Sequence, residues 1–202
     1  MVAIIDYNMG NLASVRNALA KIGAESKLVS DPDEVARYER ILLPGVGAFG
    51  DAMAHLKARG MDEAIRAFAA TGRPLLGICL GMQLLFEKSY EFGEHEGLGL
   101  IPGEVVPFDA KRFDKPHKVP HMGWNLLKRA ESPLFKGLPD AFYLYFVHSF
   151  HADTAPQYRI GTTLYGYEFV SAVANGRVFG IQPHPEKSHE NGLKILKNFM
   201  EL

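Results

Sequence analysis

A single cysteine, Cys79, stands in Gly77-Ile78-Cys79-Leu80-Gly81, directly after the apolar run Pro74-Leu75-Leu76. A buried strand that ends in Gly-x-Cys-x-Gly and turns into a helix is a nucleophile elbow with sulfur in place of oxygen. Such a turn is sharp and strained, and a Cβ at either flanking glycine would crowd it. At the start of a helix the sulfur meets the positive end of the macrodipole, which favours thiolate. Far downstream, Gln182-Pro183-His184-Pro185-Glu186 supplies a base and an acid two residues apart. Residues i and i+2 of an extended chain point to one side, and each proline keeps the residue before it out of helix. A carboxylate beside an imidazole fixes its tautomer and stabilises its charged form. Cys79, His184 and Glu186 are thus candidates for nucleophile, proton carrier and orienting carboxylate, provided that they meet in space.

Acyl transfer also needs N–H donors aimed at the developing oxyanion. In elbow enzymes one belongs to the residue after the nucleophile, here Leu80, and another to a nearby glycine-rich loop. Pro44-Gly45-Val46-Gly47-Ala48-Phe49-Gly50 is such a loop, with Val46 or Gly47 as the donor. The stretch also matches G-x-G-x-x-G, but no acidic residue ends a following strand at the distance that a dinucleotide site needs. His148 with His151, and His117 with His121, have ligand-like spacings. Neither pair has a sulfur or carboxylate cluster beside it, so no metal is expected. Lys111, Arg112, Lys115, His117 and Lys118 make a basic stretch that reads as a solvated loop.

Strand and helix must alternate to position these groups. Val2–Ile5, Ser26–Val29, Arg40–Leu43 and Pro74–Ile78 read as strands. Leu12, Val15, Leu19 and Ile22 mark one helix, and Met61, Ile65 and Phe68 another. Asp31-Pro32 opens a short helix as cap and first-turn proline. Met82–Phe86 begins the helix after the elbow. This order predicts a parallel sheet covered on both faces. In the second half Val105–Phe108, Phe142–Val147, Arg159–Thr163, Ser171–Ala174 and Val178–Ile181 are short β-like runs, with Asn175-Gly176 as a tight hairpin turn. Leu193, Leu196 and Met200 mark a closing helix. Asp109 to Pro120, charged and broken by prolines, reads as a mobile loop. The expected fold is α/β: a mostly parallel central sheet flanked by helices, with an antiparallel extension in the second half. No linker divides the chain, so residues 1–202 are expected to form a single domain.

Composition narrows the function classes. The 202 residues suffice for one sizeable core. A net charge of −1 provides no field for nucleic acid or an anionic membrane. One cysteine excludes an internal disulfide framework and points to a reduced, cytoplasmic setting. No apolar run is long enough to span a bilayer, and the first residues lack the basic flank of a secretory signal.

The motifs resemble the class I (triad) glutamine amidotransferase family across nearly the whole chain. Gly77–Gly81 and His184-Pro185-Glu186 match the family at large. Tyr7-Asn8-Met9-Gly10-Asn11, Pro44–Gly47 with Phe49-Gly50, Pro120-His121-Met122-Gly123-Trp124-Asn125, Tyr145-Phe146-Val147-His148-Ser149 and His184 through Ser188 are similar to its histidine-biosynthesis glutaminase subunits. Pro183 departs from the pattern, which usually has an aromatic residue there.

The resemblance implies a glutaminase with a Cys79–His184–Glu186 triad and a glutamyl thioester intermediate. It assigns oxyanion donors to Val46, Gly47 and Leu80. It assigns glutamine binding to Gly45, Gln83, Glu91 and the backbone of His148, Ser149 and Phe150. It implies no cofactor. It also implies a (β/α)8-barrel cyclase subunit as heterodimer partner, receiving ammonia and facing Asn11, Met122, Trp124 and Lys187. Within the family it further suggests an oxyanion strand that is poorly set until the partner binds its ligand. Alternatives are the glutaminase subunit of another class I amidotransferase, a stand-alone cysteine hydrolase of this fold, and a non-catalytic binding subunit.

Overall fold

The first strand, β1 (Val2–Ile5), is buried along its whole length, so its two faces must both be covered. The computed structural model, which describes residues 1–202, shows how. After β1 come α1 (Leu12–Lys21), β2 (Ser26–Val29), α2 (Pro32–Val35), β3 (Arg40–Gly45), α3 (Phe49–Ala58), α4 (Met61–Ala70), β4 (Leu75–Cys79) and α5 (Leu80–Leu84). The second half adds β5 (Phe86–Ser89), β6 (His95–Glu96), β7 (Ile101–Pro107), β8 (His121–Arg129), β9 (Ala141–His148), β10 (Phe150–Asp153), β11 (Arg159–Tyr165), β12 (Tyr167–Asn175), β13 (Val178–Ile181) and α6 (His189–Met200).

Side chains alternate across a strand, and the core divides accordingly. Ile5, Ile41 and Leu43 point to the layer of α3 and α4, where they meet Phe49, Leu56, Ile65 and Phe68. Val2, Ile4, Leu42 and Ile78 point the other way, toward Val15 and Leu19 of α1 and Leu196 and Phe199 of α6. The strand order β2-β1-β3-β4-β13-β12-β10-β7-β5-β6 is parallel from β2 through β13 and antiparallel from β13 through β7. β11, β8 and β9 extend it as an antiparallel wing off β12. No helix is long and apolar enough to cross a membrane.

This order places β4 between β3 and β13. Gly45 pairs in register with Cys79, and Ile181 with Ile78. The glycine-rich loop, the elbow and the Gln182–Glu186 segment therefore leave the sheet side by side. Open α/β sheets bind ligands at these carboxyl ends.

Several elements differ from the sequence expectation. The helix after the elbow starts at Leu80 and ends at Leu84, and Phe86–Ser89 is a strand. Its carbonyls are taken up early: the N–H groups of Leu98 and Gly99 bond Leu84 and Phe86, and those of Leu100 and Ile101 bond Leu85. β3 continues through Pro44, which needs no N–H of its own to accept a neighbour's bond. Ile101–Pro107 and His121–Arg129 are longer strands than their alternation suggests, because glycines at 103 and 123 interrupt it. The Asp109–Pro120 segment makes contacts that its composition does not suggest. Phe113 packs against Phe108 and Tyr167, Arg112 lies 4.0 Å over the Tyr167 ring, and His117 meets Asp114 at 2.9 Å. The short helix at Pro32 is capped as expected, with Asp31 accepting from the Asp33 N–H at 3.0 Å.

Candidate active site

Cys79 sits at φ 54°, a left-handed conformation unusual for a residue with a side chain. The turn is possible only because its flanks are bare. A Cβ on Gly77 would run into the Gly81 carbonyl, and one on Gly81 into the Leu43 carbonyl. Gly45 is equally crowded, by the Tyr7 hydroxyl and Leu80. It is not among the residues that line the cavity described below.

His184 is clamped by the neighbouring strand. Its N–H donates to the Tyr145 carbonyl at 2.9 Å, and the Ser188 hydroxyl donates to its carbonyl at 2.6 Å while accepting the Tyr145 N–H at 2.9 Å. Nδ1 lies 2.8 Å from Glu186 Oε1, and both side chains are buried. Burial opposes a charge on this ring. The neighbouring Cys79 sulfur and the Glu186 carboxylate outweigh it and raise the His184 pKa to about 10. Nε2 has no partner within the protein. The Cys79 thiol instead donates to the Val147 carbonyl at 3.9 Å and accepts from Gln182 Nε2 at 3.7 Å. Nucleophile and base are brought together, but their mutual hydrogen bond is not closed. Such bonds commonly tighten only once substrate is bound.

Around them lies a cavity of about 420 Å³. Cys79, Leu80 and His184 form its reactive wall, and Val46 and Gly47 also line it. Neither the Val46 nor the Gly47 N–H donates to any group of the protein, and both residues line the cavity. Gln83, Glu91 and the segment from Val147 to Phe150 complete the far end, with Lys187 at the rim. Glu91 Oε2 accepts the Phe49 N–H at 2.7 Å, supplying the cap that Ala48 cannot give α3. Its other oxygen remains for a ligand amine. Gln83 Nε2 donates to the Phe150 carbonyl at 3.1 Å and to Gln182 Oε1 at 3.0 Å, which leaves its Oε1 for a ligand.

Gln182 has no role in the sequence reading. It is wholly buried and links Gln83 to the Cys79 sulfur. The available signal was a polar residue ending an otherwise apolar strand.

Of the residues expected at a partner surface, Lys187 lies at the rim. Met122 is 62% and Trp124 47% exposed, so Trp124 is not a core aromatic. Its ring stacks on His189 at 5.0 Å. With Leu126 they form one face of β8, paired across β9 with Val147, Tyr145 and Tyr143. Asn11 caps α1, accepting from the Ser14 N–H at 3.3 Å.

Three other histidines are buried around this site. Burial, with His117 nearby, pushes His121 down to about 4. Burial also holds His148 well below its usual value, joined by repulsion from His121, His151 and His184 and opposed by its bond to Phe150. His151 is lowered by burial and Arg112, against the Ala152 carbonyl and Asp153. Unfolded, each titrates near about 6.5. The native state then binds fewer protons than the unfolded state below that pH, so stability present above it is lost as pH falls toward about 4. Urea midpoints are expected to fall from about pH 7 to about pH 4.5, and to fall less in His121→Asn. A wild-type profile that stays level would contradict this.

The glutamine amidotransferase class-I family model matches residues 3–202. The chain belongs to the class I glutamine amidotransferase family. Among curated amidotransferase relatives, imidazole glycerol phosphate synthase subunit HisH of Sulfurimonas denitrificans is 64% identical over 200 residues, 98% of this chain and 97% of that protein. The protein of the same name from Wolinella succinogenes is 59% identical, covering 100% of both chains. Among solved structures, PurLQS from Thermotoga maritima superimposes with a TM-score of 0.78 at 22% identity, over 99% of this chain and 97% of that one. A crystal structure described as glutamine amidotransferase gives 0.77 at 18%, over 100% and 98%. At those identities the structural likeness is one of fold: an α/β sheet, mostly parallel at its centre, with antiparallel strands added.

Proposed function

We propose that this amidotransferase is the glutaminase subunit of imidazole glycerol phosphate synthase, hydrolysing glutamine and passing ammonia to a (β/α)8-barrel cyclase subunit in histidine biosynthesis. The observation that carries the reading is the adjacency, in one cavity, of an elbow cysteine, a carboxylate-backed histidine and two free backbone donors. The full-length similarity to HisH proteins supports the choice of synthase. Residues 1–202 serve as one domain, in a reduced cytoplasmic setting that suits a free thiol.

In this reading glutamine enters with its amino-acid end toward Glu91, Gln83 and the His148–Phe150 backbone. His184 Nε2 takes the thiol proton as Cys79 Sγ attacks the carboxamide carbon, and the oxygen charge falls on the Leu80 N–H with that of Val46 or Gly47. His184 Nε2 gives its proton to the amide nitrogen, the C–N bond breaks and ammonia leaves. Water then attacks the thioester while His184 takes a proton from it. The C–S bond breaks as His184 returns that proton to the sulfur, glutamate leaves and the thiol is restored. Glu186 holds the ring through Nδ1 throughout. Ammonia is mostly protonated at neutral pH and then no nucleophile, so it must pass to the synthase under cover. The exposed apolar face of Met122, Trp124 and Leu126 beside the cavity suits such a docked partner.

Glutamate release from the isolated chain, then with the barrel subunit, then with that subunit's phosphorylated ribulosyl ligand, tests the pairing. Release is expected to rise at each addition. Full activity in the isolated chain, unchanged by either addition, would instead identify a stand-alone hydrolase.

A further inference from the structure

The hydrogen bonds around His121 form one directed chain. It begins at Asn125 on β8, whose Nδ2 donates to the Leu164 carbonyl at 2.9 Å and lies 3.2 Å from His121 Nε2. Asn125 Oδ1 accepts the Leu126 N–H at 2.8 Å, so the amide is fixed at both ends. His121 Nδ1 lies 2.9 Å from His148 Nε2, and His148 Nδ1 lies 2.8 Å from the Phe150 carbonyl. A carbonyl only accepts, so His148 Nδ1 must carry the hydrogen. In a neutral ring His148 Nε2 is then an acceptor and His121 Nδ1 its donor. His121 Nε2 is left to accept from Asn125. Every hydrogen along the chain points from β8 toward Phe150.

A second proton on either ring would set two donors against each other, and burial holds both rings neutral. The plane of His121 is fixed by stacking, 4.8 Å from the Phe146 ring and 4.0 Å from that of Tyr165. At the inner end the Phe150 carbonyl takes a second hydrogen from Gln83 Nε2 at 3.1 Å. That nitrogen also serves Gln182, whose own amide reaches the Cys79 sulfur. Buried polar networks of this kind are rigid when every member is satisfied.

We propose that His121 is a positioning residue: through His148 it fixes the Phe150 carbonyl, and so ties the glutamine-binding wall of Ser149, Phe150 and Gln83 to strand β8, which carries Met122 and Trp124. This role rests on the glutaminase reading above. His121 does not line the cavity, so it acts on glutamine only through its neighbours. Its loss frees the wall that recognises substrate while leaving the thiol and its base in place. The signature is therefore weaker glutamine binding at a retained chemical rate.

The test compares wild type, His121→Phe and His121→Asn, each in complex with the barrel subunit and its ligand, by glutamate release against glutamine concentration. Phenylalanine keeps a ring between Phe146 and Tyr165 but removes both nitrogens. Asparagine restores a donor near the position of Nδ1. His121→Phe is expected to raise KM about tenfold with kcat within about threefold, and His121→Asn to return KM to within about threefold of wild type. If His121→Phe does not fold, Asn125→Ala removes only the outer donor and leaves the stack intact. A raised KM with kcat kept supports the role there too. An active His121→Phe or Asn125→Ala complex with an unchanged KM overturns the positioning role alone. A parallel loss of kcat and thermal stability in both His121 variants, with KM unmoved, also overturns it. A wild-type complex that releases no glutamate overturns the glutaminase reading, and this role with it.

Discussion

Cys79→Ala is expected to lower glutamine-dependent synthesis by about 10⁴-fold or more, while synthesis by the same complex from added ammonia continues. The sulfur is the only group at the elbow that can form an acyl bond, and no other cysteine exists to replace it. The backbone donors and the binding wall would still hold glutamine, so KM is expected to change far less than kcat. Alanine fits the site: it is smaller than cysteine and demands no more of the φ 54° turn. What is lost in packing is one sulfur atom, already held only by weak bonds at 3.7 and 3.9 Å. Paired assays with glutamine and with ammonia check this. Loss of both activities would assign Cys79 to folding or assembly instead.

His184→Ala is expected to cost about two orders of magnitude more in kcat than Glu186→Gln. The imidazole carries the proton in both half-reactions, and the Gln182 amide that also reaches the sulfur cannot take up a proton at neutral pH. Glu186 touches only Nδ1, at 2.8 Å. Its Oε2 is buried without a partner, so glutamine could keep one acceptor toward the ring but would lose the charge. The carboxylate is one of the two groups that raise the His184 pKa against burial. Removing it must therefore lower that pKa. An NMR titration of the ring in Glu186→Gln is expected to move down from about 10. Equal kinetic defects in the two variants, or an unmoved titration, would contradict this division of labour.

Much of this was legible in the chain because the strongest signals are local. Glycines at 77 and 81 report a crowded turn, and prolines at 183 and 185 report an extended one. Both are properties of the backbone itself. The order of strands and helices in the first half gave a sheet covered on both faces, because each element's apolar spacing is also local. The resemblance added the substrate pocket, and the cavity gathers all of those positions except Gly45. Gln182 and His121 were not legible in these roles. Each acts by reaching a partner distant in sequence, Cys79 in one case and His148 in the other. Such contacts are fixed by β13 lying beside β4 and by β8 pairing with β9, which no local pattern encodes. The contacts of the segment from Asp109 to Pro120 were missed for a related reason. Its charges and prolines look like a free loop, but Phe113 and Arg112 find aromatic partners more than fifty residues away.

Acid quenching of the active complex during turnover with saturating glutamine, followed by peptide mass spectrometry, reads the chemistry at its source. A glutamyl adduct is expected on the peptide that contains Cys79, absent from the Cys79→Ala complex. Glutamate release that proceeds undiminished in Cys79→Ala, with no adduct on the wild-type cysteine, would mean that the sulfur at this elbow is not the nucleophile.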